Sequence, residues 1–212
     1  MEVSALERAL VQDGWRFIAG CDEAGRGALA GPVVAAAVVL AYEHVPQMLQ
    51  DSKRLTRKRR ELLAGEVKEG AVGYATFAVE PREIERINIL QASLKAMARC
   101  VQKLGFPVDW VLVDGLYPVE VRVLPGLPRV QAIVDGDAKV ACIAAASVLA
   151  KVERDFIMAQ HARRFPRYHF EKNMGYPTEA HLAALKRYGP CRLHRKNFKP
   201  VRELLEPKLF GQ

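Results

Sequence analysis

The chain has 212 residues, half of them hydrophobic, and carries a formal net charge of +8. That length and apolar content give one domain with a full core, or one domain and a small appendage, and exclude a disordered chain. The basic balance, with a pI near 9.5, fits a polyanion partner, and four scattered cysteines (Cys21, Cys100, Cys142, Cys191) without a C-x-x-C pair exclude a disulfide framework or zinc knuckle.

Charged and apolar residues at helical spacing predict a short helix over residues 4–12. This N-terminus has no uncharged signal core. Arg16–Asp22 is apolar and ends in acids, a buried first strand. Pro32–Leu40 is a second strand, buried on both faces because valine and alanine run without polar alternation. Together with Ala41 and Tyr42 it is the longest apolar run, too short to span a bilayer as a helix. A soluble, cytoplasmic monomer with no membrane partner is expected. A helix over about 56–68 leads to a third strand, Ala71–Glu80. Pro81 opens a helix that runs to Gly105, with Ile84, Ile87, Leu90, Leu94, Met97 and Val101 on one face. Strands follow at Trp110–Gly115 and Arg129–Asp137, then a long helix over about 138–165 and another from Thr178 to Gly189. This order predicts an α/β fold on a five-stranded mixed sheet flanked by helices, its first three strands a meander.

The stretch "GCDEAGRGALAGP" (Gly20 to Pro32) has two readings. Gly25-x-Gly27-x-x-x-Gly31 approaches a dinucleotide-binding fingerprint, but that cradle needs a helix after the turn. Pro32 and a strand follow instead, and Asp22 and Glu23 would repel a pyrophosphate. The acids have another explanation. Asp114 closes "WVLVD" and Asp137 closes "QAIVDGD", so three apolar strands end in carboxylates. Clustered carboxylates repel unless cations lie between them, and an all-oxygen set suits Mg²⁺ or Mn²⁺ rather than zinc. Asp135 and Asp137, each taken alone, read as turn or cap residues.

The blocks "GCDEAGRG", "DSKRL", "VLVDG", "DGDAKVACIAAASVLAKVERD" and "GYPT", in this order between about residues 16 and 200, resemble bacterial ribonuclease HII. The resemblance implies a ribonuclease H-like fold, cleavage of RNA in RNA–DNA hybrids, and incision at single ribonucleotides in duplex DNA. It implies Asp22, Glu23, Asp114 and Asp137 as catalytic ligands of a two-metal Mg²⁺ or Mn²⁺ site. Gly25, Arg26 and Gly27 would contact the ribonucleotide at an RNA-to-DNA junction, and Tyr176 would pack on the adjoining deoxyribose. Lys53 of "DSKRL" would meet phosphate. The related ribonuclease HIII carries an extra N-terminal domain, and the roughly fifteen residues before the first strand favour HII. A non-catalytic nucleic-acid-binding module on the same fold is the other alternative. The expected organisation is a short helix over 1–15, a catalytic domain over 16–165, and a helical extension over 166–212 that contributes to substrate binding. Asn173 and Met174 stand where the family often has His-Lys, which removes a cation from that place.

The remaining candidates have plainer readings. Lys53, Arg54, Arg57, Lys58, Arg59 and Arg60 crowd a helix start, where cations oppose the helix dipole and phosphate would offset the cost. Lys151 and Asp155 read as a surface pair one turn apart, with an outer-shell acid as the alternative for Asp155. Ser147 reads as packing, and His194, in a basic run, as solvated. No clear sliding-clamp motif stands at the C-terminus, although Leu209 and Phe210 leave clamp docking open.

Overall fold

Valine and alanine fill Val33–Leu40 (β2) without interruption, and all eight residues are buried. Alternate side chains serve opposite faces of the sheet. Ala36, Val38 and Leu40 enter one core cluster, and Val33, Ala35, Ala37 and Val39 enter another. Ile18–Ala24 (β1) and Ala71–Val79 (β3) flank β2, both antiparallel to it. Beyond β1, Trp110–Asp114 (β4) and Arg129–Ile133 (β5) continue the sheet in parallel, giving the order β3-β2-β1-β4-β5. This is the five-stranded mixed sheet, with its three-strand meander, that the sequence pattern predicts. The structure is a computed structural model that describes residues 3–206, with only the backbone of residues 44 and 50–53.

Nine helices are described: Ala5–Gln12 (α1), Arg57–Gly70 (α2), Pro81–Ile87 (α3), Ile89–Lys103 (α4), Gly136–Lys139 (α5), Ala141–Arg164 (α6), Phe170–Asn173 (α7), Glu179–Tyr188 (α8) and Lys199–Leu205 (α9). Helix α6 covers one face of β1 and β2, and α4 covers the other face. Gly20 is where α6 comes closest, since a Cβ there would lie 2.2 Å from the Cys142 carbonyl carbon. Among the described residues no helix is long and apolar enough to cross a membrane.

The first strand lies two residues later than the expected Arg16–Asp22, and three larger differences follow. The helix expected from Pro81 to Gly105 breaks at Asn88, which takes φ 66° and caps α4 by accepting the Gln91 amide at 3.0 Å. Asparagine tolerates this left-handed conformation and its amide oxygen starts the next helix. The strand expected to end at Asp137 stops at Ile133, and Asp137 lies on α5 instead. The long helix expected from about residue 138 begins at Ala141, after an extended Val140 with φ −127°.

That third break exposes the first amides of α6, and Glu7 of α1 covers them. Its carboxylate accepts the Ala141 and Cys142 amides, each at 3.0 Å. It also accepts the Ser4 amide at 3.0 Å, the Ser4 hydroxyl at 2.7 Å and the Tyr42 hydroxyl at 3.3 Å. An anion at a helix N-terminus meets the positive end of the dipole. Glu7 is fully buried, so its removal strands five donors. Glu7→Ala is expected to cost about 2 kcal/mol and lower the melting temperature by about 6 °C, measured by thermal denaturation.

Candidate active site

The acids converge because the parallel half of the sheet ends early. β1 pairs with β2 as far as Ala24, but with β4 only as far as Cys21. Asp22 and Glu23 therefore project past the last pairing on the β4 side, on opposite faces of the strand. Asp114 is the last residue of β4. Its Oδ1 accepts the Gly136 amide at 2.7 Å and the Asp137 amide at 3.4 Å, so it caps α5 and holds Asp137 beside itself. All four acids line one cleft of about 500 Å³. Ligands gather at the carboxyl ends of parallel strands for this geometric reason.

The cleft also takes in Gly25, Arg26, Gly27, Arg60, Ser147, Lys151 and Tyr176. Gly25 and Gly27 differ in what they require. Gly25 has φ +96°, and a Cβ there would lie 1.9 Å from Arg154 Nε. Gly27 has no such φ, and nothing lies within 4 Å of its Cβ position. The fold needs glycine at 25, whereas at 27 only an incoming group would. Arg26 is half exposed and donates to Glu23 Oε1 at 3.2 Å.

Two buried arginines support this turn. Arg154 donates to the carbonyls of Pro32 at 3.0 Å, Met174 at 2.9 Å and Ala30 at 3.2 Å. Arg195 donates to Gly31 at 3.0 and 2.9 Å and to Arg26 at 3.1 Å. Burial and the nearby Arg154 bring the Arg195 guanidinium down to about 9. Above Arg154, the Tyr176 ring lies 5.1 Å from its guanidinium and 5.6 Å from Lys151 Nζ.

The electrostatics of the acids are those of a crowded anion site. Burial raises the Asp22 carboxyl well above the usual range, with Glu23 and then Asp114 adding repulsion, while the Ser147 hydroxyl hydrogen-bonds it and opposes the rise. The Glu23 amide donates to Asp22 at 2.6 Å. Burial also raises Glu23, with Arg26 opposing. Among the described residues no group of three His, Cys, Asp or Glu side chains is already drawn around a single point. The acids form an open array. Its donors are all oxygen, and the repulsion at Asp22 is what a hard divalent cation relieves. The residues present fit such an ion.

Some predicted residues behave otherwise. The Lys53 side chain lies outside the described residues, as do Leu209 and Phe210. Of the basic cluster, Arg60 lines the cleft, and Arg57 pairs with Glu61 at 3.0 Å. Ser147, read as packing, bonds Asp22. Its signal was there: it is the one hydroxyl in an alanine-rich run facing a strand that carries acids. Lys151 and Asp155 do pair, at 2.6 Å, but Asp155 is buried and Lys151 lines the cleft. His194, read as solvated, is 1% exposed and bonds His181. Arg154, Arg195 and His181 gave no sequence signal as structural residues.

Residues 19–201 match the family model for ribonuclease HII. The chain belongs to the ribonuclease HII family. A ribonuclease HII from Idiomarina loihiensis is 51% identical over 189 residues, covering 89% of this chain and 98% of its own. The ribonuclease H2 of Pyrococcus horikoshii OT3 superposes with a TM-score of 0.75 at 26% identity, over 88% of this chain and 96% of that one. The ribonuclease HII of Archaeoglobus fulgidus, solved in complex with PCNA, gives a TM-score of 0.73 at 26% identity, over 86% and 95%. The sheet and its helices are the ribonuclease H-like fold, and this ribonuclease HII family member is a ribonuclease H acting on RNA–DNA.

Proposed function

We propose that the enzyme incises on the 5′ side of single ribonucleotides in duplex DNA and hydrolyses RNA in RNA–DNA hybrids, leaving 5′-phosphate and 3′-hydroxyl ends. The observation that carries this reading is the cleft itself. Four carboxylates from three separated segments line it together with the Gly25-Arg26-Gly27 turn and Tyr176.

Asp22, Glu23, Asp114 and Asp137 would hold two Mg²⁺ or Mn²⁺ ions, with Asp22 shared. The chemistry such ions supply is a lowered pKa for the attacking water and charge neutralisation at the leaving 3′ oxygen. The chain's own residues prepare the rest. Ser147 and the Glu23 amide fix the Asp22 carboxylate from two sides. The amides of Gly136 and Asp137 fix Asp114. Their bonds set the spacing of the oxygens before any ligand arrives, so little reorganisation is left to the reaction.

Discrimination of RNA from DNA requires a contact to one 2′-hydroxyl. The bare backbone at Gly27 allows an approach that a side chain would block, and half-exposed Arg26 can turn its planar fork from Glu23 to a phosphate. Tyr176 offers its ring face to the neighbouring sugar, so the 166–212 region contributes to binding. Arg60 and the exposed cations of α2 form a phosphate track, to which Lys53 is assigned by its sequence block alone, and binding should weaken steeply with salt. The enzyme works as a monomer, and clamp docking stays open, since a structural relative was solved in complex with PCNA.

Mapping the products of a duplex containing one ribonucleotide, beside a long RNA–DNA hybrid, tests this function. The expected product is a single cut 5′ to the ribonucleotide, absent without divalent metal. Cutting of the hybrid alone would reject the single-ribonucleotide reading. In the same assay Gly27→Ala is expected to reduce cutting at the lone ribonucleotide about 100-fold, the size of a small misplacement of substrate. Its melting temperature should not move, because the Cβ meets open space.

A further inference from the structure

Two buried histidines stand behind Tyr176. His181 of α8 is fully buried and His194 is 1% exposed. Their Nε2 atoms are 3.1 Å apart. The Cys191 amide donates to His194 Nδ1 at 3.0 Å, and His181 Nδ1 lies 2.8 Å from the Tyr176 carbonyl oxygen.

These three contacts fix both tautomers. An amide can only donate, so His194 Nδ1 carries a lone pair, and a neutral ring then has its proton on Nε2. That proton points at His181 Nε2, which must accept. The His181 proton therefore sits on Nδ1 and is donated to the Tyr176 carbonyl. The chain runs one way, from the Cys191 amide through both rings to Tyr176.

The relay lies where the two substrate-facing segments are joined. His194 pairs with Ala30 in an isolated antiparallel bridge, and the Gly31 amide donates to the Leu193 carbonyl at 2.9 Å. The Leu29 amide donates to the Gly175 carbonyl at 2.8 Å. The backbone following the Gly25-Arg26-Gly27 turn is thus tied to the residue before Tyr176 and to the residues around His194.

We infer that His181 and His194 form a neutral, one-way hydrogen-bond relay that acts as a positioning device, holding Tyr176 in register with the Gly25-Arg26-Gly27 turn. This rests on the reading of Tyr176 as a substrate-packing residue. A second proton on either ring breaks the relay. On His181 Nε2 it would face the His194 proton, and on His194 Nδ1 it would face the Cys191 amide.

The surroundings keep the rings neutral. Tyr168 stands edge-on to His194 at 4.9 Å, and Phe170 stands edge-on to His181 at 5.4 Å and tilted to His194 at 5.9 Å. Cys191 is the other titratable neighbour. Arg195, which follows His194 in the chain, spends its guanidinium on the carbonyls of Gly31 and Arg26. Burial lowers both histidines, His194 to about 4 with His181 adding repulsion. Both fold with a depressed affinity for protons. The folded rings therefore stay neutral well below the ordinary histidine value of 6.5, and the relay is lost only as pH falls toward about 4, where His194 takes up a proton.

Nitrogen-15 NMR of the histidine rings in the wild-type protein reads the tautomers directly. The relay requires protonated Nε2 on His194 and protonated Nδ1 on His181, with no titration of either between pH 7.5 and about 5.5. The opposite tautomers, or a charged ring at pH 7, would overturn it. Steady-state kinetics on a single-ribonucleotide duplex test the positioning role, using His194→Phe, Tyr176→Ala and the double variant. His194→Phe should raise KM about tenfold with a smaller change in kcat, and His194→Gln, which can still accept and donate, should recover most of the loss. In the Tyr176→Ala background His194→Phe should add nothing. Full additivity overturns the relay while leaving Tyr176 in place. An unchanged KM in Tyr176→Ala removes the substrate role of Tyr176 instead. Should His194→Phe fail to fold, His194→Gln and the wild-type spectrum still decide the matter.

Discussion

Asp22→Asn is expected to abolish cleavage and, at neutral pH without divalent metal, to raise the melting temperature. The two effects share one cause. Burial, then the charges of Glu23 and Asp114, raise the Asp22 carboxyl well above its ordinary value. The folded protein therefore prefers this group protonated. Its contribution to stability is fully present below the unfolded pKa and lost as pH rises through the folded one. At neutral pH the metal-free wild type carries that cost, and an amide of the same shape does not. The same substitution removes one of the four carboxylates that would hold the divalent ions, and activity should fall about 1000-fold, the scale of losing one preorganised electrostatic contact. Thermal denaturation with and without Mn²⁺ separates the two. Mn²⁺ should stabilise the wild type and do much less for the variant. A variant that melts lower than wild type in chelator would contradict this electrostatic account.

Arg154→Met carries the largest expected loss of stability. Its guanidinium spends three donors on the carbonyls of Pro32, Met174 and Ala30, all in loops with no sheet partner for those oxygens. It fills the space that a side chain at Gly25 would need, and its face lies under Tyr176. Methionine keeps the volume but leaves the buried acceptors bare, at about 3–5 kcal/mol. Loosening of the Gly25-Arg26-Gly27 turn and of Tyr176 should follow, with weaker substrate binding. Lysine restores the charge without the fork, so Arg154→Lys should recover only part of the stability. Chemical denaturation checks both, and a loss under about 1 kcal/mol in Arg154→Met would mean that the turn is held by other contacts.

Much of the site could be read from the sequence because strands announce themselves. The apolar runs into Asp22 and Asp114 are strands of the sheet; β4 ends at Asp114, while β1 carries Asp22 and Glu23 in its last three residues. Asp137 was less legible. "QAIVDGD" reads as strand to its end, but the chain leaves the sheet at Ile133 and turns through Asp135 at φ 55°. That turn depends on Asp114, 22 residues earlier, whose carboxylate captures the Gly136 amide. Glu7 was illegible for the same reason, since the amides it caps lie 134 and 135 residues away. Charged and polar residues mislead most. Arg154 and Arg195 are fully buried because loop carbonyls accept their donors. His194 is dry because its partners come from Cys191 and from His181 of α8. Sequence pattern records periodicity, whereas these residues are set by contacts between distant loops.

Four carboxylates at the end of a parallel strand pair are expected to hold two hard divalent ions beside a ribonucleotide-reading turn. Anomalous diffraction from crystals of the enzyme grown with Mn²⁺ and a single-ribonucleotide duplex tests it directly. Two anomalous peaks bounded by Asp22, Glu23, Asp114 and Asp137, next to the phosphate at the ribonucleotide, are the predicted result. Strong Mn²⁺ peaks elsewhere, with none among these four acids under conditions that support cleavage, would contradict it.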